Sequence, residues 1–384
     1  MPSWENARSH NTSSEECWNI ATQWMSRCLY THTRCHETLE RSWLPTRLLQ
    51  VSRDESSEMK VRLICTAAEP PMQRRYMTLS HCWGRAQIVK LLRSNFDMMT
   101  RDIPIADLPK TFQDAITVTQ RLGISYLWID SLCILQDRDD LSDWEAEASL
   151  MHKVYSHSYC NISAAAAEDS FEGLFYPRDP RLLHAAEVDL CIREFVSDVD
   201  AIRCHVFYRG FWFEHSTQAP LNKRAWVLQE RLLSPRILHF GRHQLLWECR
   251  ELQAAESAPW GIDTDLDGRN FCRLRLRQQT LRQETLTTDP TILRYNQYRA
   301  WHKLVKIYSR CFLTVPDDKL IAISALAKRT GEATKGQYIA GLWREVLEKE
   351  LLWCRGVDQH SKAMLSCRSP RYRAPTCKCS LSQK

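Results

Sequence analysis

The chain has 384 residues, of which 44% are apolar and 26% charged, and its formal net charge is +6. That balance belongs to a globular protein with material for a large core and two or three structural units. No apolar run approaches the roughly 18 residues of a membrane-crossing helix. The polar N-terminus, MPSWENARSHNTSSEEC, has no apolar signal core, so the expected compartment is the cytoplasm. In that reducing setting the sixteen cysteines read as buried thiols rather than a disulfide framework. The charge excess is local, at Arg269, Arg273, Arg275, Arg277 and Arg282 and again at Arg368, Arg371, Arg373, Lys378 and Lys384. Without zinc-finger spacing, an aromatic stacking platform or a Gly-rich phosphate loop, these runs read as solvated linker, and nucleic acid is not an expected partner.

Residues 1–15 read as a disordered lead. From Cys17 to about Glu40, Trp18, Ile20, Trp24, Met25 and Cys28 fall at helical spacing. Within that stretch Cys28-x3-His32-x2-Cys35 resembles half a zinc site. With no second pair in view it reads as core packing, and no metal ligand is assigned. Leu44-Pro45-Thr46-Arg47-Leu48-Leu49 opens an extended region ending near Cys65, and Glu69-Pro70-Pro71 marks a turn.

Tyr76–Cys82 has the β-branched and aromatic character of a short strand. Thr111-x-x-Asp114 after Pro109 resembles a capping box, with Phe112, Ala115, Ile116, Thr119 and Leu122 on one face and Gly123 at the end. Tyr126–Leu135 is almost continuously apolar and reads as a buried strand interrupted by Asp130. Strand, helix and strand in that order imply a parallel βαβ unit. Ser142-x-x-Glu145 opens a second helix, and Cys160–Ala166 a third buried strand. Irregular strands are expected at Val188–Phe195 and Cys204–Phe211, and a short helix at Arg224–Leu233, stopped by Pro235. A hairpin of Arg236–Phe240 with Gln244–Cys249 follows. Residues 251–293 read as a linker or long loop, and residues 294–384 as a helical region centred on Trp301, Leu326 and Trp343.

Five blocks in this order resemble the fungal heterokaryon incompatibility (HET) domain family. They are Tyr76-x-x-Leu79-Ser80-His81-Cys82-Trp83-Gly84; Leu108-Pro109 through Asp114-Ala115-Ile116; and Tyr126-Leu127-Trp128-Ile129-Asp130-Ser131-Leu132-Cys133-Ile134. The last two are Met151-x-x-x-Tyr155 with Gly173-Leu174, and Arg224-x-Trp226-x-Leu228-Gln229-Glu230. The resemblance sets the HET domain at 76–250, preceded by an N-terminal segment at 1–75. It implies an α/β fold, distantly TIR-like, with a mainly parallel sheet flanked by helices and helical N- and C-terminal extensions. Such chains commonly continue past a Tyr-Arg-Ala-Pro element into a Trp-rich segment. Here Tyr372-Arg373-Ala374-Pro375 leads to Cys377 and Cys379, which reads as a truncated or misassigned ending.

By resemblance the chain takes part in incompatibility-triggered programmed cell death or self/non-self defence, as a homo-oligomer or with other incompatibility proteins. Two biochemical events stay open: TIR-like hydrolysis of NAD, as substrate rather than resident cofactor, or non-enzymatic self-assembly and recruitment. For the first, Glu230 is the candidate acid, four residues after Trp226 on the same helical face, with Glu147 second. The bland alternative pairs Glu230 with Arg224 or Arg236. Ser80, Trp83 and Gly84 follow the first strand, where open α/β sheets place ligand loops, and are the candidate binding residues together with Asp130 and Trp226. A Cys–His nucleophile is not expected, because His81 and Cys82 are neighbours on a strand and point to opposite faces.

Overall fold

Four short runs with little polar alternation form the centre of one sheet, as strands covered on both faces should. The computed structural model describes residues 9–35, 43–85, 87–183, 186–190, 202–206, 212–262 and 289–351. Its strands are β1 (Arg47–Arg53), β2 (Met59–Cys65), β3 (Met77–Ser80), β4 (Tyr126–Trp128) and β5 (Cys160–Ser163). They continue with β6 (Ala186–Leu190), β7 (Ile202–Val206), β8 (Arg236–Phe240), β9 (Leu245–Cys249) and β10 (Gln253–Ala255). Eight of these form one sheet in the order β10-β9-β8-β5-β3-β4-β1-β2, while β6 and β7 pair with each other.

The α/β architecture expected from the sequence is present, and its parallel part is the centre: β8-β5-β3-β4 pair in parallel. Both margins are antiparallel, β1 with β2 and β4 on one side, β8 with β9 and β10 on the other. In chain order the parallel strands run second, first, third, fourth, which opens the flavodoxin-like winding. The winding direction reverses between β3 and β5, and the crevice beyond their carboxyl ends is where such sheets take ligands.

The helices are α1 (Glu15–Thr31), α2 (Phe96–Arg101), α3 (Lys110–Arg121), α4 (Asp130–Cys133), α5 (Ser142–His157), α6 (Ala225–Leu233), α7 (Pro290–Tyr308), α8 (Ile321–Thr334) and α9 (Leu347–Glu350). α1 packs on β9, α3 on β1 and β4, and α5, α6 and α8 on one another. Trp128, Trp247, Phe112 and Tyr155 are among the largest fully buried side chains of this core.

Several local expectations change. Ordering of the lead begins by Ser9: Thr12 is buried and exchanges hydrogen bonds with Tyr176. Ser14 caps α1 by accepting from Cys17 N at 3.3 Å. Neither expected capping box forms, because α3 begins after Pro109 and α5 after Leu141. Thr111 and Asp114 instead accept from the backbone N–H groups of Gly173 and Leu174, at 3.2 and 2.8 Å. Gly173 sits at φ +82°, and an added Cβ would lie 2.5 Å from Asp114 Oδ2. The expected Tyr126–Leu135 strand ends at Trp128, and a one-turn helix takes over at Asp130. The expected third C-terminal helix, opening at Trp343, starts later and is short among the described residues: Leu342–Trp343 pairs with Tyr338–Ile339 as a small hairpin, and a 3-10 turn at Arg344–Val346 leads into α9. The two basic runs, the Tyr372–Pro375 element, Cys377 and Cys379 lie outside the described residues. No helix among the described residues is long and apolar enough to cross a membrane.

Candidate functional site

Ser80 is the last residue of β3, so its side chain stands at the carboxyl edge of the parallel strands, beside the reversal of winding. α6 crosses that edge and carries Glu230, whose carboxylate accepts from Ser80 Oγ at 2.5 Å. The hydroxyl is fixed from below: Asn161 Nδ2 donates to Ser80 Oγ at 2.9 Å, and Thr78 Oγ1 donates to Asn161 Oδ1 at 3.0 Å. Tyr155 of α5 supplies a second hydroxyl toward Glu230. Thus three strands or helices distant in sequence converge on one carboxyl group.

Glu230 is only 6% exposed and makes no ion pair among the described residues. Burial dominates its titration and pushes the carboxyl up to about 7, against the lowering effect of Ser80 and of the nearby Arg224. Arg224 is not its hydrogen-bond partner; the guanidinium donates to the carbonyl of His81. Arg236 lies elsewhere, on Cys28 and the carbonyls of Tyr159 and Cys35.

A second buried glutamate shows what a purely structural acid looks like in this protein. Glu248 is fully buried and accepts from Arg231 Nε at 2.8 Å, from Gln253 Nε2 at 3.2 Å, and faces His239 Nε2 at 3.2 Å. Its charge is matched by a cation, which is how a buried carboxylate is ordinarily kept. Glu230 has hydroxyls in that place.

Asp130 opens α4 next to this edge. It accepts from Trp83 Nε1 at 3.0 Å and from Ser131 N at 2.7 Å, which answers the cost of a carboxylate beside an apolar strand. Lys90 Nζ stands 5.0 Å over the Trp83 ring. His81 Nδ1 is 3.9 Å from Asp130 Oδ1, and burial holds the imidazole down to about 4, hence neutral at pH 7. His81 Nε2 and Ser131 Oγ are buried and find no hydrogen-bond partner among the described residues.

Not every residue singled out in the sequence comes to this place. Gly84 serves the chain itself: at φ +73°, an added Cβ would lie 2.4 Å from Asp169 Cβ. Trp226 takes its contacts from Trp144, edge-on at 6.3 Å, and from Asp318, whose carboxylate accepts from Nε1 at 3.2 Å. Glu147 stands near Arg47, at 3.9 Å, beside the Arg47–Asp143 pair, and burial raises its carboxyl. Cys82 packs with Leu221 and Val227, and burial pushes its thiol up to about 11, which leaves it inert as a nucleophile. Sequence reasoning missed Tyr155, Asn161 and Thr78 as members of the site. For Thr78 and Asn161 the signal was available as polar residues within short, otherwise apolar strands, whereas Tyr155 was visible only as part of the buried face of a helix.

A separate surface cleft of about 330 Å³ is lined by Glu168, Glu172, Glu214, His215 and Arg242 among others, none of them singled out in the sequence. At the opposite, amino end of the parallel strands, Cys28, His32, Cys35 and Cys249 bring their donor atoms within 4.8 Å of one another.

Residues 76–230 match the family model described as Heterokaryon incompatibility protein (HET). The chain therefore carries a HET domain, and the matched span holds Ser80, Asp130, Tyr155, Asn161 and Glu230. The match ties the chain to heterokaryon incompatibility. No curated protein matches it, and no solved structure does.

Proposed function

We propose that this HET domain signals in incompatibility-triggered programmed cell death or self/non-self defence by hydrolysing NAD at the carboxyl edge of β3 and β5. The observation that carries the reading is Glu230: a buried carboxyl with no ion pair among the described residues, hydrogen-bonded to Ser80 and raised to about 7, at the edge where doubly wound sheets bind ligands. In the reaction the bond between ribose C1′ and the nicotinamide nitrogen breaks, and its electron pair leaves with nicotinamide. The developing oxocarbenium charge is stabilised by the Glu230 carboxylate, which also takes the proton of the attacking water and later releases it to solvent. Ser80 fixes the carboxylate's direction, and Trp83, oriented by Asp130, offers an indole for stacking a base or the nicotinamide ring. His81 Nε2 and Ser131 Oγ, which have no hydrogen-bond partner among the described residues, supply polar contacts to the ribose or amide. Assembly of several copies completes the site.

The test is nicotinamide release by the full chain forced to cluster, with and without Glu230→Gln. Loss of turnover by about 100-fold or more in the variant is expected for removal of such a group. Full activity in Glu230→Gln sinks the enzymatic reading.

One observation favours a non-catalytic assembly module instead: Glu230 is 6% exposed and already satisfied by hydroxyls of its own chain. On that reading Glu230→Gln, which keeps the shape, leaves cell killing unchanged.

A further inference from the structure

We propose that Cys28, His32, Cys35 and Cys249 form a structural zinc site that fastens the N-terminal helix to the far margin of the sheet. Cys28 lies in the last turn of α1, and His32 is the residue at which the chain leaves that helix in extended backbone. The short turn Thr33–Cys35 folds back and brings Cys35 to them. The fourth donor comes from 214 positions further along the chain than Cys35, at the end of β9, where the strand turns into β10.

The geometry suits one tetrahedral ion. His32 Nδ1 is 3.3 Å from Cys249 Sγ and 3.9 Å from Cys35 Sγ, and all four donor atoms lie within 4.8 Å of one another. Zn–S bonds of about 2.3 Å and a Zn–N bond of about 2.0 Å set donor-to-donor edges of roughly 3.5–3.8 Å. Seating the ion therefore requires adjustments of about 1 Å or less. All four side chains are buried, so no open position remains for water or substrate, which makes the site structural rather than catalytic. Three soft thiolates and one imidazole select zinc over the hard cations magnesium and calcium.

The surroundings answer the charge. Three thiolates and Zn²⁺ leave one net negative charge, and Arg236 is the cation beside it: Nε donates to Cys28 Sγ at 3.2 Å, and Nη2 to the Cys35 carbonyl at 3.3 Å. Leu252 N donates to Cys249 Sγ at 3.2 Å. Charged and N–H donors aimed at sulfur stabilise the thiolate form that a metal requires. All four ligands lie outside residues 76–230, so the site belongs to the frame around the matched segment rather than to that segment.

The experiment measures the zinc content of the purified full chain and its cobalt(II) spectrum after exchange. One zinc ion per chain, and the intense visible bands of tetrahedral thiolate cobalt, are expected. Cys249→Ser is expected to lower metal affinity by at least the ~10–100-fold that loss of a supporting contact costs. Cys160→Ser, which removes a buried thiol outside the cluster, keeps the metal. Cys35→His is the second variant: it preserves four donors, so the chain still binds one ion, with a weakened sulfur-to-cobalt charge-transfer band. Should Cys249→Ser fail to fold, the wild-type spectrum and Cys35→His decide. A folded wild-type chain that carries no stoichiometric zinc and takes up no cobalt overturns the proposal. So does a Cys28–Cys249 disulfide found by mass spectrometry in the freshly isolated protein.

Discussion

The two ends of the parallel strands are built on opposite terms. At the amino end, Cys28, His32, Cys35 and Cys249 bring their buried donor atoms together, and Arg236 donates to Cys28 Sγ. At the carboxyl end, Glu230 is buried against the Ser80 hydroxyl with no ion pair among the described residues, and His81 Nε2 and Ser131 Oγ find no partner among them either. The first arrangement fastens; the second holds unfavourable groups in place at a cost to stability. Such strain tends to collect at functional sites and is tolerated because the rest of the fold over-determines it. Glu248 and Glu230 make the same point as a pair of buried acids, since among the described residues only the former is matched by Arg231.

The comparison breaks most sharply if removal at the two ends has the same sign. Stripping zinc from the amino end, with a chelator under reducing conditions, is expected to lower Tm by about 10 °C or more, read by circular dichroism. An unchanged melting curve would remove the fastening role. Glu230→Gln at the carboxyl end is expected to do the reverse and stabilise the fold above pH 7, by on the order of 3 kcal/mol in denaturant titration, because it removes a carboxylate held about 2.5 pH units above its usual 4.5. A destabilised Glu230→Gln would show that the carboxyl serves the fold.

How much of this was legible in the chain follows from how local each feature is. Hydrophobic period and flanking turn residues placed β3, β5, α6 and the β8–β9 hairpin, because each is specified within a dozen residues. The same reasoning lengthened β4 through Leu135, since a continuous apolar run looks alike as strand or as a buried helical turn. Asp130 carried the needed hint: its carboxylate accepts from Ser131 N at the start of the turn. Glu230 and Ser80 were separately visible, but their contact spans 150 positions and depends on α6 crossing the sheet edge. Cys28, His32 and Cys35 were visible as half a site, while the completing Cys249 looked like one more apolar residue in a strand. Trp226 misled for a different reason: helical spacing fixes which residues share a face, and says nothing of what that face meets.

The pH dependence of stability sharpens the contrast further. The folded chain keeps a proton on Glu230 that the unfolded chain releases above 4.5, so this group makes stability fall between about pH 4.5 and 7. His81 acts oppositely: the unfolded chain takes up a proton below 6.5 that the folded chain refuses until about 4, so stability rises over that interval. In the wild type the two slopes offset each other. Glu230→Gln is expected to leave a clear rise from about pH 4 to 6.5, of at most ~1.4 kcal/mol per pH unit. A flat profile in the variant would mean that His81 does not titrate as its burial requires. Smaller still, Asp130→Asn keeps the shape but weakens the tie to Trp83, for a loss of about 1 kcal/mol and a mobile indole visible in fluorescence anisotropy. An unmoved signal would make Trp83 independent of Asp130.

One seam joins the carboxyl edge to the rest of the chain. Phe312, just beyond α7, lends its backbone to the entry of α6: its carbonyl receives Ala225 N at 2.9 Å, and its N–H donates to the Lys223 carbonyl at 2.6 Å. Trp226 is tethered to Asp318 a few residues later. The entry of the helix bearing Glu230 is thus fixed by contacts from the segment between α7 and α8. The direction in which that acid meets Ser80 is therefore set in part by residues that lie beyond the matched span 76–230.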